Sequence, residues 1–520
     1  MRWLFRPFET WLSPFAPGPD CPLPTEAFRF IGFFLAQARW PFIVILIASG
    51  LTGLIEAGLY ASVGIIIDAL GTTDKATVWS DYGLMFIAMA FTVLVLRTVA
   101  MSVQTLIGEQ TVVPLVFAMV RWQLHRRVLR QSYAYFQDDF AGRIATKVMQ
   151  AGPSIGDFLT NLIQGIWQFI IFGVLAIGLF TSLDWRLALL LITWFAAYFY
   201  TLYATIGEIR QRAKVQSQAR ATVNGRLVDS YTNIQTVKLF AGTDREDAFV
   251  REAIEDQMDK VMALGRYVTG LRITLNVLSG LLITLTAALG IWLWQVDVIT
   301  LGALAATLGL VLRLNHMSGW ISFQINGLFR ELGTIQDTIE TVAAEASVAD
   351  APTAVALRRS RGPIQFERVS FRYGRGAAAL HDITLTIPPG QKVGLVGRSG
   401  AGKTTLTSVL LRLYDINGGA IRIGQQDISD VTQESLRRAI GVVTQDTSLL
   451  HRSVYDNILY GRPDATRAEV IAAARKARAH EFIEDLADVR GRTGYDAHVG
   501  ERGADPRGLE FGEEEPDRLE

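Results

Sequence analysis

Six long apolar stretches occupy the first two thirds of this chain and restrict what it can fold into. A helix needs ~20 predominantly apolar residues to cross a ~30 Å hydrocarbon core, and each stretch is about that long. We therefore predict six membrane-spanning helices. They cover residues 41–67, 82–106, 155–181, 187–206, 273–294 and 298–325.

The connections between these stretches predict two membrane hairpins and two long extensions outside the lipid. Only "TSLDW" separates the third stretch from the fourth, and only "QVDV" separates the fifth from the sixth. Residues 107–153 carry six lysines and arginines and residues 207–270 carry ten, whereas the opposite loops hold only Lys75, with Arg186 at a boundary. Because cytoplasmic loops of membrane proteins are enriched in lysine and arginine, we expect both extensions and both chain ends to be cytoplasmic.

Four ionisable residues fall inside the predicted spans, namely Glu56, Arg97, Arg313 and His316. Charges in this setting are costly and usually face the protein interior. Two interpretations stay open: they pair with one another or with the backbone to hold the helices together, or they line a substrate cavity. Counting ~1.5 Å per residue places Arg97 and Arg313 at one depth and does not favour a pair between Arg97 and Glu56. Two arginines at one level suggest an anionic or amphiphilic solute.

Composition excludes several classes of protein. Half of the residues are hydrophobic and only 19% are charged, which is too apolar for an ordinary cytosolic enzyme of this length. The net charge is zero, so general attraction to nucleic acid has no support. Cys21 is the only cysteine, which excludes an internal disulfide and thiolate metal sites.

The first fifteen residues, "MRWLFRPFETWLSPF", mix arginines with aromatic side chains. They lack the compact apolar core and small-residue cleavage site of a secretory signal. We predict a helix lying in the membrane interface, with a disordered tail as the alternative.

A phosphate-binding pattern follows the apolar region. After a linker of small residues, "PIQFERVSFRYG" and "HDITLTIPPGQKVGLVG" are predicted as strands. The second runs into "GRSGAGKTTLTSVLLRLYD", which contains G-x-x-x-x-G-K-[ST] between an apolar strand and an apolar helix. This setting makes a chance glycine-rich turn a poor explanation.

Each residue type in this loop suits a nucleotide phosphate. Gly397, Gly400 and Gly402 allow the backbone to wrap the phosphate without Cβ clashes, so that amides point inward. The following helix adds its positive N-terminal end. Lys403 supplies a charge for the outer phosphates, and Thr404 a hydroxyl for Mg²⁺.

Tyr373 lies 24 residues before the loop, at the end of a predicted strand. Its ring could stack on a purine, although a tyrosine in such a position, taken alone, more often serves packing.

Taken together, these features resemble an ABC exporter half-transporter over residues 30–503. "YFQDDFAGRIATKVMQ", with Phe136 and Gly142, resembles the first intracellular loop of that family, and "DSYTNIQTVKLFAGTDRE" resembles the second. "VSFRYG" is similar to the adenine-stacking loop, which makes Tyr373 the purine platform. "VVTQDTSLLHRSVYDNILYG" resembles the region of the glutamine switch, so Gln445 would contact Mg²⁺ or its water. "YDAHVGERG" resembles the run that leads to the signature sequence of the family.

The resemblance implies an all-α transmembrane domain of six helices, followed by a partial α/β P-loop NTPase domain of the ABC ATPase type. We expect residues 1–340 to form the first, 341–362 a linker, 363–503 the second and 504–520 an acidic tail. The resemblance also implies a dimer with ATP held between two chains, a membrane-lipid environment and Mg²⁺ at Thr404 and Gln445. The expected nucleotide site comprises Tyr373, Gly397, Arg398, Ser399, Gly400, Ala401, Gly402, Lys403, Thr404, Thr405 and Gln445.

The last seventeen residues, "ADPRGLEFGEEEPDRLE", depart from the family pattern. The signature sequence, the strand ending in Asp-Glu and the switch histidine are all missing there. Glu513, Glu514 and Glu515 belong to an acidic run without hydrophobic period, which is typical of a solvated tail and not of a catalytic or metal cluster. We therefore expect no catalytic acid in this sequence, a copy deficient in hydrolysis, and a frameshift or premature stop as the cause.

Three functions stay open on the sequence. The first is ATP-driven export by a half-transporter, with a bacterial inner membrane as the expected location. The second is a non-hydrolytic ATP-binding subunit that pairs with an intact half-transporter. The third is a channel or receptor regulated by ATP. The transported solute is not identified by any of these residues.

Overall fold

The structure is a computed structural model. It describes residues 2–19, 21–139, 141–240, 243–343, 347–358, 362–374, 376, 378–443, 449–488 and 490–499. The chain divides into two compact units. The first comprises Met1–Ala351, Gln365–Thr386 and Lys392–Ile421, and the second comprises Pro352–Ile364, Ile387–Gln391 and Arg422–Glu520.

Helices make up most of the first unit, as the apolar stretches predict. Three π-helical segments, Thr92–Arg97, Gly108–Val116 and Leu162–Trp167, interrupt them. The α-helices are α1 (Arg2–Glu9), α2 (Ala27–Gln37), α3 (Arg39–Thr72), α4 (Val78–Phe91), α5 (Thr98–Ile107), α6 (Phe117–Val128), α7 (Tyr133–Asp138), α8 (Ala141–Asn161), α9 (Gln168–Leu183), α10 (Trp185–Thr232), α11 (Ile234–Leu239), α12 (Thr243–Gln295), α13 (Leu301–Val342) and α14 (Lys403–Leu410).

Among the described residues, five continuous helical runs are long and apolar enough to cross a bilayer. They confirm helices at the first five predicted positions and extend well beyond the apolar stretches, which agrees with the predicted extensions outside the lipid. The runs are Arg39–Thr72, Val78–Val128, Ala141–Leu183, Trp185–Thr232 and Thr243–Gln295.

At the sixth predicted position lies α13, a continuous helix of 42 residues that is not among these five. Arg313, Asn315 and His316 follow one another closely in it and lower its mean hydropathy. The sixth span therefore stays a prediction, although the predicted helix is present.

The N-terminal segment forms a helix where one is predicted. In α1 the backbone carbonyl of Arg6 accepts a hydrogen bond from the Thr10 hydroxyl at 2.9 Å. The Thr111 hydroxyl donates to the carbonyl of Phe8 at 2.9 Å, and Phe8 and Leu12 pack against the helical core. A helix is thus confirmed, and its place in the membrane interface stays a prediction.

Two apolar clusters hold the long helices together. The first joins α2, α3, α6, α8 and α13 around Phe30, Phe34, Ile45, Leu124, Ile155 and Ile335. The second joins α9, α10, α12 and α13 around Phe172, Phe180, Leu187, Leu191, Tyr198, Leu310 and Leu314.

The close crossing of α3 and α13 depends on glycine. A Cβ added to Gly302 would lie 2.0 Å from the carbonyl oxygen of Gly64 and 2.5 Å from Cγ of Asp68. The Asp68 carboxylate accepts hydrogen bonds from the Gly302 amide at 2.8 Å and from the Thr300 hydroxyl at 2.5 Å. The last part of α3 and the first turn of α13 are therefore in direct backbone contact.

Near the middle of the same helices, the structure corrects one expectation from the sequence. Arg97 does pair with Glu56: Nη2 of Arg97 lies 3.6 Å from Oε1 of Glu56, and Nη2 of Arg313 lies 2.5 Å from Oε2. Counting residues argued against the first contact because it ended the first span at residue 67. Helix α3 continues to Thr72, so Glu56 lies sixteen residues from the end of its helix. That count falls between those of Arg97, nineteen residues after Val78, and Arg313, twelve residues after Leu301.

Three strands lie mostly in the first unit, with β1 between the other two: β1 (Ile364–Arg372), β2 (Ala378–Ile387) and β3 (Gly418–Ile423). The predicted strand "PIQFERVSFRYG" is confirmed by β1. The second predicted strand is only half right, since β2 ends at Ile387 and residues 391–398 form no strand. A strand needs a hydrogen-bonded neighbour, and this stretch pairs with no described segment; the side chain of Val396 is 98% exposed.

The second unit contains short elements around a small apolar core. Strand β4 pairs with the end of β3, with Arg422 opposite Asp427, and β5 pairs with β6, with Arg452 opposite Val499. The elements are β4 (Gln426–Asp427), α15 (Gln433–Ala439), β5 (Arg452–Ser453), α16 (Val454–Leu459), α17 (Arg467–Lys476), α18 (His480–Glu484) and β6 (His498–Val499). Their core contains Val454, Val470, Ala474, Ile483, Leu486, Tyr495, Ala497 and Val499.

One carboxylate organises the last loop of this unit. Asp488 accepts hydrogen bonds from the backbone amides of Arg490, Arg492 and His498, and from the guanidinium of Arg492 at 2.7 Å. These donors stabilise the ionised form, so they hold the pKa of the Asp488 carboxyl well below its usual range, with the His498 amide as the largest cause.

Candidate nucleotide-binding site

The glycine-rich loop leads into α14 through two residues with left-handed backbone. Gly400 has φ +80° and Gly402 has φ +86°, and α14 begins at the next residue, Lys403. A Cβ at Gly402 would lie 2.7 Å from the carbonyl oxygen of Ala379 in β2 and 3.0 Å from Cδ2 of Leu380. Glycine at this position therefore permits both the turn and its close approach to the strand.

Lys403 folds back into the loop that it follows. Its Nζ donates to the carbonyl oxygens of Gly397 and Arg398, each at 2.8 Å. Arg398, Ser399 and Ala401 lie exposed along the loop. Two neutral acceptors thus hold the ammonium group against the loop, and a phosphate oxygen can replace them with a stronger contact between two ionised groups.

The two threonines after the lysine take different positions. Thr405 is buried, and its hydroxyl oxygen accepts a hydrogen bond from the Tyr373 hydroxyl at 3.2 Å. Thr404 is exposed on the first turn of α14. An exposed hydroxyl beside Lys403 fits a hard cation such as Mg²⁺, which prefers oxygen ligands and keeps several waters.

Tyr373 belongs to an aromatic cluster in the same unit. Its ring centroid lies 4.8 Å from that of Phe371 and 5.2 Å from that of Tyr414, both nearly edge to face. The ring is held on one side by these neighbours and keeps 45% of its surface exposed. A half-exposed ring in a fixed orientation suits stacking on a flat base.

Tyr414 was not singled out from the sequence, and it connects this cluster to a membrane-helix extension. Its hydroxyl donates to Oε1 of Gln137 in α7 at 2.5 Å, and its ring packs edge to face on Tyr133 at 6.2 Å. Phe136, quoted for the first intracellular loop, lies in the same short helix. The one available signal was the position of Tyr414 in "LLRLYD", directly after the phosphate-loop helix.

Arg412, also missed, connects the end of α14 to the segment that follows the last long helix. It has φ +49° and is buried. Its guanidinium lies 3.0 Å from the carboxylate of Asp415, 3.6 Å from that of Asp350, and 3.0 Å from the carbonyl oxygen of Ala349. Two carboxylates thus neutralise one buried cation and join two segments that are distant in sequence.

The structure brings the expected site residues from Gly397 to Thr405 into one loop and places Tyr373 against Thr405. Gln445 lies outside the described residues, so its contact with Mg²⁺ stays a prediction. The same is true of residues 500–520, including the acidic run from Glu513 to Glu515 and the expected absence of a catalytic acid.

Comparisons with known proteins agree with this architecture. Residues 42–315 match the family described as the ABC transporter transmembrane region, and residues 380–498 match the family described as ABC transporter. A solved structure of a bacterial Atm1-family ABC exporter with ATP bound superposes with a TM-score of 0.74 at 27% identity. The match covers 90% of this chain and 81% of that one.

Curated bacterial relatives match most of this chain. An uncharacterized ABC transporter ATP-binding protein of Haemophilus influenzae is 39% identical over 508 residues, which are 96% of this chain and 81% of that protein. YgaD of Bacillus subtilis, whose name assigns it provisionally to multidrug export, is 29% identical over 385 residues, 74% of this chain and 66% of its own length. The chain therefore belongs to the ABC transporters, as an integral membrane half-transporter of the exporter type with an ATPase domain after its transmembrane region.

Proposed function

We propose that this chain binds ATP and Mg²⁺ at the loop from Gly397 to Thr405 and uses that binding to export a solute across a membrane. Lys403 would contact the outer phosphates, Thr404 and Gln445 would hold Mg²⁺, and Tyr373 would stack on the adenine. The magnesium ion would supply positive charge between the phosphates. The observation that carries the proposal is the position of the Lys403 side chain. Its Nζ lies 2.8 Å from the carbonyl oxygens of Gly397 and Arg398, which a phosphate oxygen can replace as acceptors.

A series of side-chain contacts from the expected nucleotide site to the helical region supports a role in transport. Tyr373 contacts Tyr414, and Tyr414 donates a hydrogen bond to Gln137 in α7, which lies between α6 and α8. A base that stacks on Tyr373 would therefore contact the same aromatic cluster that is hydrogen-bonded, through Tyr414, to helix α7. Only a ligand that contacts two conformations differently can shift their populations. We propose that the nucleotide does so through this cluster.

We propose a second half-transporter as the partner. Helix α11, between the long helices α10 and α12, presents Ile234, Leu239 and the adjoining Phe240 to solvent, with 45%, 73% and 81% of their surfaces exposed. A run of large apolar side chains at the tip of a helical extension outside the lipid is unfavourable unless another surface covers it. A second ABC chain, identical or different, would provide that cover.

We further propose that a polypeptide of these 520 residues binds ATP without completing hydrolysis when its only partner is a second copy of itself. The sequence of residues 405–520 contains no Asp-Glu dipeptide. Phosphoryl transfer needs an acidic group to position the attacking water and the metal. The alternative is a non-hydrolytic subunit of a heterodimer, in which an intact partner supplies the hydrolytic site. We place the protein in a bacterial inner membrane with both ends cytoplasmic, on the lysine and arginine distribution.

Photolabelling tests the nucleotide site directly. The full chain, reconstituted in lipid nanodiscs, is irradiated with 8-azido-ATP with and without Mg²⁺. We expect magnesium-dependent labelling that Lys403→Ala reduces at least about tenfold, since a charge-assisted contact to phosphate contributes ~1.5–3 kcal/mol. Thr404→Ala should mainly reduce the dependence on Mg²⁺. Lys392→Ala, an exposed lysine eleven residues before Lys403, is the matched control.

Equal labelling of the wild type and Lys403→Ala would refute the phosphate loop as the binding site. Phosphate release is measured on the same samples. Turnover by the wild type that Lys403→Ala abolishes would refute the proposed lack of hydrolysis while leaving the binding site intact. Turnover that appears only after an intact half-transporter is added would favour the heterodimer.

A further inference from the structure

The charged cluster of the transmembrane region, formed by Glu56, Arg97 and Arg313, has one carboxylate and two guanidinium groups. Glu56 extends from α3 and lies between Arg97, from the π-helical segment Thr92–Arg97, and Arg313, from α13, at 3.6 and 2.5 Å. One negative charge faces two positive charges, so the cluster keeps a net positive charge. An uncompensated charge in a membrane-spanning region is expensive and typically marks a functional site.

The two sides of this charge cluster differ in exposure. The Glu56 side chain is 9% exposed, whereas Arg97 keeps 38% and Arg313 keeps 29%. The carboxylate is therefore largely buried, whereas part of each arginine side chain is exposed. A ligand that approaches the charge cluster meets donors and positive charge first.

Arg97 also has an unused hydrogen-bond donor. Its Nε is buried and has no hydrogen-bond partner among the described residues. A buried N–H without an acceptor costs about 1–3 kcal/mol, and an acceptor brought by a ligand would remove that cost. An oxygen of a carboxylate, phosphate or sulfonate would satisfy it.

The backbone at Arg97 is unusual in a way that fits a binding site. The segment Thr92–Arg97 is π-helical between α4 and α5, and such widened turns occur frequently at functional sites. One turn before Glu56 in α3, the hydroxyl of Thr52 accepts a hydrogen bond from Nε2 of Gln104 in α5 at 2.7 Å. Polar contacts between α3 and the neighbouring helical run thus occur on two successive turns of α3, at Thr52 and at Glu56.

We propose that this charge cluster binds the anionic group of the exported solute, and that the solute is an amphiphile. Met101, four residues after Arg97 and on the same face of the helix, is 43% exposed and would contact its apolar part. The proposal rests on the proposed export function, for which it names the substrate class. Its anionic group is a carboxylate, phosphate or sulfonate with one net charge, matching the single excess charge of the cluster.

Two fluorescent probes that share a pyrene ring and an alkyl linker but carry opposite charges test the charge preference. The full chain in nanodiscs of zwitterionic lipid is titrated, without ATP, with pyrenebutyrate and with its trimethylammonium analogue, and empty nanodiscs give the partition background. We expect the anion to bind at least about tenfold more tightly, the equivalent of one charge-assisted contact. Because no nucleotide is present, failure here does not bear on ATP binding, and failure of photolabelling does not bear on this result.

Substitutions within the charge cluster give effects of opposite sign. Arg97→Gln should weaken pyrenebutyrate binding about tenfold, while Glu56→Gln should strengthen it, because it leaves two uncompensated guanidinium groups. A purely structural ion pair predicts that both variants weaken binding or change nothing, and that result would overturn the proposal. Arg97→Gln leaves the Glu56–Arg313 contact in place and so tests the site even if Glu56→Gln fails to fold. Arg186→Gln, at the boundary between α9 and α10, is the control.

A last arm separates two sources of the anionic group. Phosphatidylglycerol is added to the nanodiscs at increasing fraction while pyrenebutyrate binding is followed. Competitive displacement that Arg97→Gln removes supports the site with a lipid headgroup as its ligand. Binding that is unaffected by the lipid supports it with a free solute.

Discussion

The contact between Gly402 and β2 leads to a prediction that separates backbone strain from steric clash. Gly400 and Gly402 have nearly the same left-handed φ, +80° and +86°. An alanine in this conformation costs roughly 1–2 kcal/mol at either position. A Cβ at Gly400 meets nothing within 4 Å, whereas at Gly402 it would lie 2.7 Å from the carbonyl oxygen of Ala379. Gly400→Ala is therefore the matched control for Gly402→Ala.

The clash adds a second cost at Gly402 alone. The closest atom is backbone in a paired strand, so it cannot move as a side chain would, and overpacking of this kind typically costs about 1–3 kcal/mol. We expect Gly402→Ala to destabilise the contact between the loop and β2 by that amount beyond the effect of Gly400→Ala. The difference corresponds to roughly a 5- to 150-fold change in the local opening equilibrium.

Hydrogen–deuterium exchange measures this local opening. The full chain is labelled without nucleotide, which avoids any contact between a new methyl group and phosphate. Peptides that cover Ala378–Ile387 should exchange faster in Gly402→Ala than in Gly400→Ala, while peptides from α17 should be unchanged. Equal exchange of β2 in both variants would show that the close approach of Gly402 does not stabilise the loop, and the reasoning would be refuted.

Four further predictions concern other positions. Alanine at Gly319, which has open space around it, should stabilise α13 by up to about 1 kcal/mol. Alanine at Gly302 should lower the unfolding temperature in detergent, because overpacking of about 1–3 kcal/mol exceeds that gain. Tyr414→Phe and Gln137→Ala should show a coupling of about 0.5–1.5 kcal/mol in a double-mutant cycle of unfolding, and additive effects would contradict the hydrogen bond. The depressed pKa of Asp488 in the folded state means that its stabilising effect is complete above its unfolded value of about 4 and is lost as the pH falls further. Asp488→Asn should therefore lower the unfolding temperature at pH 7, and the difference from wild type should shrink between pH 4 and pH 3.

Sequence alone determined those features that depend on a single stretch of chain and on whether water or lipid surrounds it. An apolar run of about twenty residues has few alternatives to a membrane helix, and five of the predicted helices are confirmed as long apolar runs. The phosphate loop is similarly local, because its glycines and Lys403 act within eight residues of one another. Strand β1 also formed where its apolar and β-branched pattern predicted it.

Tertiary structure decided whatever required two distant segments to meet. The stretch before the loop has a strand-like sequence, yet it forms no strand because no described segment pairs with it. Glu56 contacts both arginines because of how three helices pack. Counting along the apolar stretch misplaced it, since α3 runs five residues further than that stretch and hydropathy does not specify this boundary. Tyr414 reaches Gln137 across 277 positions of sequence, and no local pattern encodes a contact at that separation. Such contacts depend on how whole helices pack, so only the folded chain could show them.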